Sequence, residues 1–146
     1  MADTASERIR VAAPADRCLA VALDFEAYPQ WAKDVKHAQI LERDDAGRGI
    51  RVEFRAAALG KSIRYVLAYD YSDLPNSFSW EFAEGEMLRR LDGTYRFEPE
   101  GDSTRVHYDL TVEVGVPLPG MVKRRAASLI MGSALKELKR HIESAG

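Results

Sequence analysis

From about Val35 to Gly115 apolar and polar residues alternate with a period of two, and nothing else in the chain limits its fold so strongly. Successive side chains of a β-strand point to opposite faces, so this pattern specifies strands with one buried and one solvated face. Ile50, Val52 and Phe54 alternate with Arg51, Glu53 and Arg55, and Phe78, Trp80 and Phe82 alternate with Ser77, Ser79 and Glu81. Leu91, Tyr95 and Phe97 stand against Arg90, Asp92, Arg96 and Glu98; Val106, Tyr108, Leu110, Val112 and Val114 stand against His107, Asp109, Thr111 and Glu113. Six strands are predicted, in HAQILERD, RGIRVEFRAAAL, KSIRYVLAYDYS, NSFSWEFAE, LRRLDGTYRFEPE and TRVHYDLTVEVG, with turn signals DDAG, LG, DLPN and EGDS between them. SERIRVAA supplies a seventh near the N-terminus. Short connections make the sheet largely antiparallel, and a sheet with one apolar face needs one cover.

Helical signals stand at both ends of this pattern, and the cover itself is supplied by the C-terminal one, from Pro117 onward. After the first strand, PADRCLAVAL has Pro14 in a first helical turn, Asp16 at the positive end of the dipole, and Leu19 and Leu23 at helical spacing. DFEAYPQWAKDV follows as a second short helix or turn broken at Pro29. At the other end, Pro117 and Pro119 stop the last strand, and the remainder reads as one long helix. Its early apolar positions (Leu118, Val122, Ala126, Leu129) and later ones (Met131, Leu135, Leu138, Ile142) fall on nearly opposite sides of an ideal wheel. The helix therefore bends near Gly132–Ser133 or is buried on both sides in its middle.

At 146 residues the chain fits one domain, 1–146, large enough to fold around a core without staples. No apolar run approaches a membrane span and MADTASERIR lacks the apolar block of a signal peptide, so the chain reads as cytoplasmic. Cys18, the only cysteine, sits in the apolar stretch CLAVAL and reads as a buried, inert thiol. The formal net charge is −2, unevenly distributed. From Leu118 onward Lys123, Arg124, Arg125, Lys136, Lys139 and Arg140 face only Glu137 and Glu143, which makes the C-terminal helix basic. Such a face is usually just solvated, and its other use is contact with an anionic membrane.

Little in the sequence points to chemistry. His37, His107 and His141 are scattered without metal-ligand spacing and read as surface residues. RDDAGRG lacks the alternating ligands of a calcium loop and reads as a turn. No phosphate cradle or nucleophile elbow is present in the sequence. No cofactor, no metal and no nucleic-acid partner is expected, and oligomeric state is left open.

IRVAAPADRCLAVALDFEAYPQW, the HAQILERD strand, LDGTYRFEPEGDSTRVHYDLTVEV and GMVKRRAASLIMGSALKELKRHIE together resemble the START-related superfamily. This group includes the Bet v 1 allergens and the polyketide cyclase/dehydrase and lipid transport proteins, and the AP…DFEAYPQW and DGTYRF…TRVHYDL stretches look most like its small bacterial members. The resemblance implies an α+β helix-grip fold: a curved seven-stranded antiparallel sheet wrapped around a long C-terminal helix, with two short helices after strand 1. It further implies a cavity between sheet and helix for a lipid, polyketide, sterol or quinone. Along KSIRYVLAYDY the aromatase/cyclase members place cavity-facing tryptophans where this chain has Ile63 and Tyr65, and an arginine where it has Tyr69. A tyrosine of those enzymes matches Val35 here.

The predicted inward face is rich in rings and phenols and poor in titratable groups suited to acid–base work near neutrality. The first expectation is therefore a non-enzymatic carrier or sensor of an apolar small molecule, with no catalytic residue. Its cavity would be lined by Tyr28, Trp31, Phe54, Tyr65, Tyr69, Trp80, Tyr95, Tyr108, Val122 and Leu129. Tyr28 and Trp31 either plug one end of that cavity or gate it. The alternatives are a polyketide cyclase/dehydratase-type enzyme anchored by Tyr69, and a membrane- or protein-docking module acting weakly through the basic helix.

Overall fold

β7 (Ser103–Val114) shows how alternation becomes structure: Thr104, Val106, Tyr108, Leu110, Val112 and Val114 are all buried, and the residues between them are not. The computed structural model describes residues 3–58, 61–115, 117, 119 and 134–144. The other six strands are β1 (Asp3–Val11), β2 (Val35–Arg43), β3 (Gly49–Ala58), β4 (Lys61–Asp70), β5 (Ser77–Gly85) and β6 (Leu88–Glu100). All seven form one curved antiparallel sheet in the order β1-β7-β6-β5-β4-β3-β2. Strands β2 to β7 run as a meander, and β1 pairs with β7, so the chain must travel from one sheet edge to the other between β1 and β2. α1 (Ala15–Leu23) and a 3-10 helix (Phe25–Gln30) make that crossing, burying Cys18, Ala22 and Phe25 on the way.

Residues 134–144 are helical and form the described part of the C-terminal helix, α2. Leu135, Leu138 and Ile142, three and four residues apart, fall on one stripe and are buried in the core against the sheet. Polar contacts fix the helix end to the first strand and α1. Lys139 Nζ donates to the Arg10 carbonyl at 2.8 Å, the Ala12 N–H donates to Glu143 Oε2 at 2.8 Å, and Arg17 Nη2 donates to the Ile142 carbonyl at 3.1 Å. Two of these also satisfy backbone groups at the end of β1, where the edge strand is left without a neighbour. Leu118, Val122, Ala126, Leu129, Met131 and the expected bend at Gly132–Ser133 lie outside the described residues, as do Lys123, Arg124 and Arg125. Among the described residues no helix is long and apolar enough to cross a membrane.

Three local features differ from expectation. β1 begins at Asp3 rather than near Ser6, pairing Asp3 with Val112 and Thr4 with Thr111, because edge pairing uses backbone groups and needs no apolar alternation. Pro29 lies inside the 3-10 helix instead of ending it. The turn continues past the proline because the Trp31 and Ala32 N–H groups both reach the Tyr28 carbonyl, at 3.1 and 2.8 Å. Finally, the outer face of the sheet is not wholly wet: Val66 is completely buried there. Its cross-strand neighbours are Glu53 and Glu84, and Arg64 pairs with both, at 2.7 and 4.0 Å. The alkyl stems of these long side chains cover the valine while their charged ends stay in water.

Cys18 is fully buried, its thiol directed at the Ala13 carbonyl that also accepts from Thr104 Oγ1 at 2.7 Å. Burial raises its pKa, in keeping with an inert thiol.

Candidate functional site

The apolar face of the sheet does not close completely on its cover. It leaves a cavity of about 530 Å³, within the ordinary range of small-molecule sites. Phe54 and Ala56 of β3, Ile63, Tyr65, Leu67 and Tyr69 of β4, and Phe78 and Trp80 of β5 form much of its floor. Leu88, Leu91 and Tyr95 of β6 and Tyr108 of β7 extend it. Tyr28 and the segment from Trp31 to Val35 form one wall, and Ala134 and Glu137 of α2 contribute from above. Lys33, Asp34 and Ala57 are the exposed members of this set, so the rim lies where the loop before β2 meets the end of β3. The Ala57 N–H donates to the Asp34 carbonyl at 2.8 Å and the Lys33 N–H to Glu137 Oε2 at 2.9 Å, tying loop, strand and helix together at that rim.

Eight of the ten expected site residues (Tyr28, Trp31, Phe54, Tyr65, Tyr69, Trp80, Tyr95 and Tyr108) therefore line one space; Val122 and Leu129 lie outside the described residues. Ile63 and Val35 also line it. Tyr71 does not. It lies just past the end of β4, where its hydroxyl donates to the Gly49 carbonyl and the Arg48 guanidinium covers its ring at 5.1 Å. The sequence reading missed Lys33, Asp34 and Glu137, because a charged rim on a loop and a helix leaves no mark on strand alternation. It also read His141 as a surface residue, whereas His141 is half-buried and stacks on Trp31 with centroids 5.8 Å apart and planes at 14°. This contact links the 3-10 helix end to α2 across the top of the wall.

Two glycines shape the floor. Gly93 pairs with Trp80, and a Cβ at position 93 would lie 2.3 Å from Trp80 Cζ2 and 2.8 Å from the Asp109 carbonyl oxygen. The indole thus lies flat on β6 in the room a side chain would need. At Gly85 a Cβ would come within 2.6 Å of the Tyr65 Cβ and 2.9 Å of the Arg64 carbonyl oxygen, so glycine there permits the close approach of β5 to the β4 backbone. A β-bulge between Val66 and Leu67 adjoins this position. An isolated glycine within a strand pattern was the available signal in LDGTYRF.

The rings interlock: Trp80 lies 5.5 Å from Tyr95 and 5.7 Å from Tyr108, and these two tyrosines meet edge to face at 4.6 Å. Their hydroxyls differ in fate from those outside the cluster. Tyr28 donates to the Ala22 carbonyl and Tyr71 to that of Gly49. The hydroxyls of Tyr65, Tyr69, Tyr95 and Tyr108 make no hydrogen bond with any described residue, yet none is sealed in the protein interior without a partner. They open on the cavity that all four line. Burial pushes Tyr65 up to about 12 and holds Tyr28, Tyr69, Tyr95 and Tyr108 well above the usual phenol range, neighbouring phenols adding to the effect in all of these except Tyr65. Burial raises Tyr71 as well. Each is a neutral hydrogen-bond donor at ordinary pH.

A raised folded pKa makes a definite prediction for these groups. Unfolded tyrosines ionise near pH 10, so stability is fully present below that value and is lost as pH rises toward the folded pKa values. All six tyrosines of the chain share the shift, and their phenolate absorbance is expected to appear in one cooperative step together with loss of the native circular dichroism. A gradual titration centred near pH 10 with the fold intact would contradict this burial.

Among the described residues no group of three or more His, Cys, Asp or Glu side chains is placed to hold a metal ion. A curved antiparallel sheet whose apolar face and C-terminal helix enclose a ring-lined cavity is the architecture of the START/Bet v 1 superfamily. The chain belongs to the polyketide cyclase / dehydrase and lipid transport family, whose model matches residues 2–143. Its structure is similar to that of a START superfamily protein from Mycobacterium smegmatis, with 28% identity, 98% of this chain and 99% of the other covered, and a TM-score of 0.93. The Zhui aromatase/cyclase from Streptomyces sp. R1128 is 15% identical, with 98% and 94% covered and a TM-score of 0.85. A STAR-related lipid transfer protein from Xanthomonas axonopodis is 19% identical, with 96% and 85% covered and a TM-score of 0.76. At those identities the last two share the fold alone. No curated protein matches the sequence.

Proposed function

We propose that this protein binds and carries an apolar small molecule in the cavity beneath its C-terminal helix and does not transform it. The observation that carries this reading is a cavity of about 530 Å³ whose deep lining, among the described residues, is aliphatic and aromatic, with charged side chains only at Lys33, Asp34 and Glu137. Burial of an apolar guest there draws on the same surface-area effect that folds the sheet onto its cover.

An enzymatic role of the cyclase/dehydratase kind is disfavoured by the same lining. Tyr69 occupies the position matching those enzymes' arginine, and a phenol held well above its usual pKa is a poor base near neutrality and brings no fixed cation. Docking through the basic helix is weakened too: Lys139 is engaged by Glu143 and the Arg10 carbonyl, and among the described residues Lys136 and Arg140 are the exposed basic side chains of α2.

Native mass spectrometry of the protein purified from its own host tests the carrier reading. The expected result is a second species heavier than the bare chain, with an apolar compound recovered on solvent extraction. A bare mass alone, together with failure of the neutral apolar dye N-phenyl-1-naphthylamine to bind, would exclude it.

A further inference from the structure

We infer that the cavity selects a neutral, ring-based molecule carrying several oxygen acceptors, in preference to an acyl-chain lipid, and that Tyr65, Tyr69, Tyr95 and Tyr108 make that choice. This rests on the cavity being a ligand site, and it narrows what the ligand is.

The four hydroxyls belong to three different strands, β4, β6 and β7, and open into one space without a partner among the described residues. A donor shut away from water needs an acceptor, and one left unpaired by the guest opposes binding more strongly than a made bond favours it. The guest must therefore offer acceptors at several points on its body. An acyl chain offers polar atoms at one end only. Were its carboxylate to sit at the rim near Lys33, the hydrocarbon would lie among the hydroxyls and strip them of water without replacing it. A carboxylate placed deep would meet no cation among the described residues, since none of the described deep lining residues is Lys, Arg or His.

The rings that hold the hydroxyls point the same way. Trp80, Tyr95 and Tyr108 pack tilted or edge to face, and Phe54 stacks on Tyr65 at 26°. Flat apolar walls with donors at their edges suit a rigid fused or linked ring system bearing carbonyl or ether oxygens. The two tyrosines outside this set, Tyr28 and Tyr71, spend their hydroxyls on backbone carbonyls. Tyr28 lines the cavity as well, so the four open hydroxyls are those to which the fold brings no backbone acceptor.

A matched pair of neutral probes isolates the effect: flavone, with a carbonyl and a ring ether, and 2-phenylnaphthalene, its hydrocarbon counterpart of similar size. Binding is read by quenching of Trp31 and Trp80, both of which line the cavity. Flavone is expected to bind more tightly than either 2-phenylnaphthalene or palmitic acid. In a variant combining Tyr65→Phe, Tyr69→Phe, Tyr95→Phe and Tyr108→Phe, flavone should weaken roughly tenfold while the hydrocarbon binds as well or better. The single changes Tyr95→Phe and Tyr108→Phe give the same direction at smaller size if the combined variant folds poorly. Equal binding of the two probes by the natural protein, a preference for palmitic acid, or a flavone affinity indifferent to the tyrosines would overturn the inference while leaving the carrier reading intact. If N-phenyl-1-naphthylamine and all three probes fail to bind, both fall together.

Discussion

Phe25→Ala is expected to destabilise the fold by about 3–5 kcal/mol, the usual range for truncating a fully buried phenylalanine. Phe25 is completely buried where the crossover from β1 to β2 passes over the sheet. Its ring touches Tyr28 at 5.6 Å, Phe54 at 6.3 Å and Tyr69 at 4.5 Å, so it joins the 3-10 helix to β3 and β4. Phe25 does not line the cavity, but Tyr28, Phe54 and Tyr69 all do. Truncation therefore removes the backing of three cavity residues along with the core contacts. Urea unfolding should show the midpoint falling with little change in slope, and the melting temperature should drop by roughly 10 °C. Apolar-dye binding should weaken in the fraction that remains folded. A loss under about 1 kcal/mol would mean that the crossover is not held by this ring.

Gly93→Ala sets two arguments against each other. Strand propensity favours the change, because glycine within a strand has excess backbone freedom to lose. Packing opposes it, because the new methyl would lie 2.3 Å from the Trp80 indole and 2.8 Å from a backbone carbonyl of β7. The carbonyl cannot retreat without breaking the β6–β7 ladder, in which Gly93 pairs with Leu110. Packing wins, with an expected loss of about 2–3 kcal/mol. The indole must rise from the floor into the cavity, so apolar-dye binding should fall more than stability alone explains, with a change in tryptophan emission. In a Trp80→Ala background Gly93→Ala should cost less than in the natural protein, since the clash with the indole is gone and only that with the Asp109 carbonyl remains; strictly additive effects would show that the two positions do not interact.

These expectations draw on different depths of information. The strands, their inward faces and their antiparallel meander were legible because a period of two survives in any one-sided sheet. The strand-borne cavity rings Phe54, Tyr65, Tyr69, Trp80, Tyr95 and Tyr108 were legible for the same reason: position along a strand determines which face a residue joins. Tyr71 continues the alternation of KSIRYVLAYDY and packs on the same face against Tyr69 and Phe78, yet it lies outside the cavity, because its hydroxyl is held by the Gly49 carbonyl beyond the cavity's end. Val66 lies on the face expected to be solvated and is buried, because its cross-strand neighbours Glu53 and Glu84, bridged by Arg64, are set by strand register. Trp31 and His141 are far apart in sequence and stack only because α2 returns to the sheet beside the 3-10 helix.

The sequence by itself determined the alternating strands, the apolar face, the helical segments after the first strand and the kind of cover, since each follows from local periodicity and local backbone chemistry. Only the tertiary structure decided that the inward tyrosines divide into two kinds. Tyr28 and Tyr71 reach backbone carbonyls that the fold brings near, whereas Tyr65, Tyr69, Tyr95 and Tyr108 come from three strands and meet across open space. Whether a phenol is satisfied depends on what stands opposite it, and that is fixed by sheet curvature and helix placement rather than by neighbours in the chain.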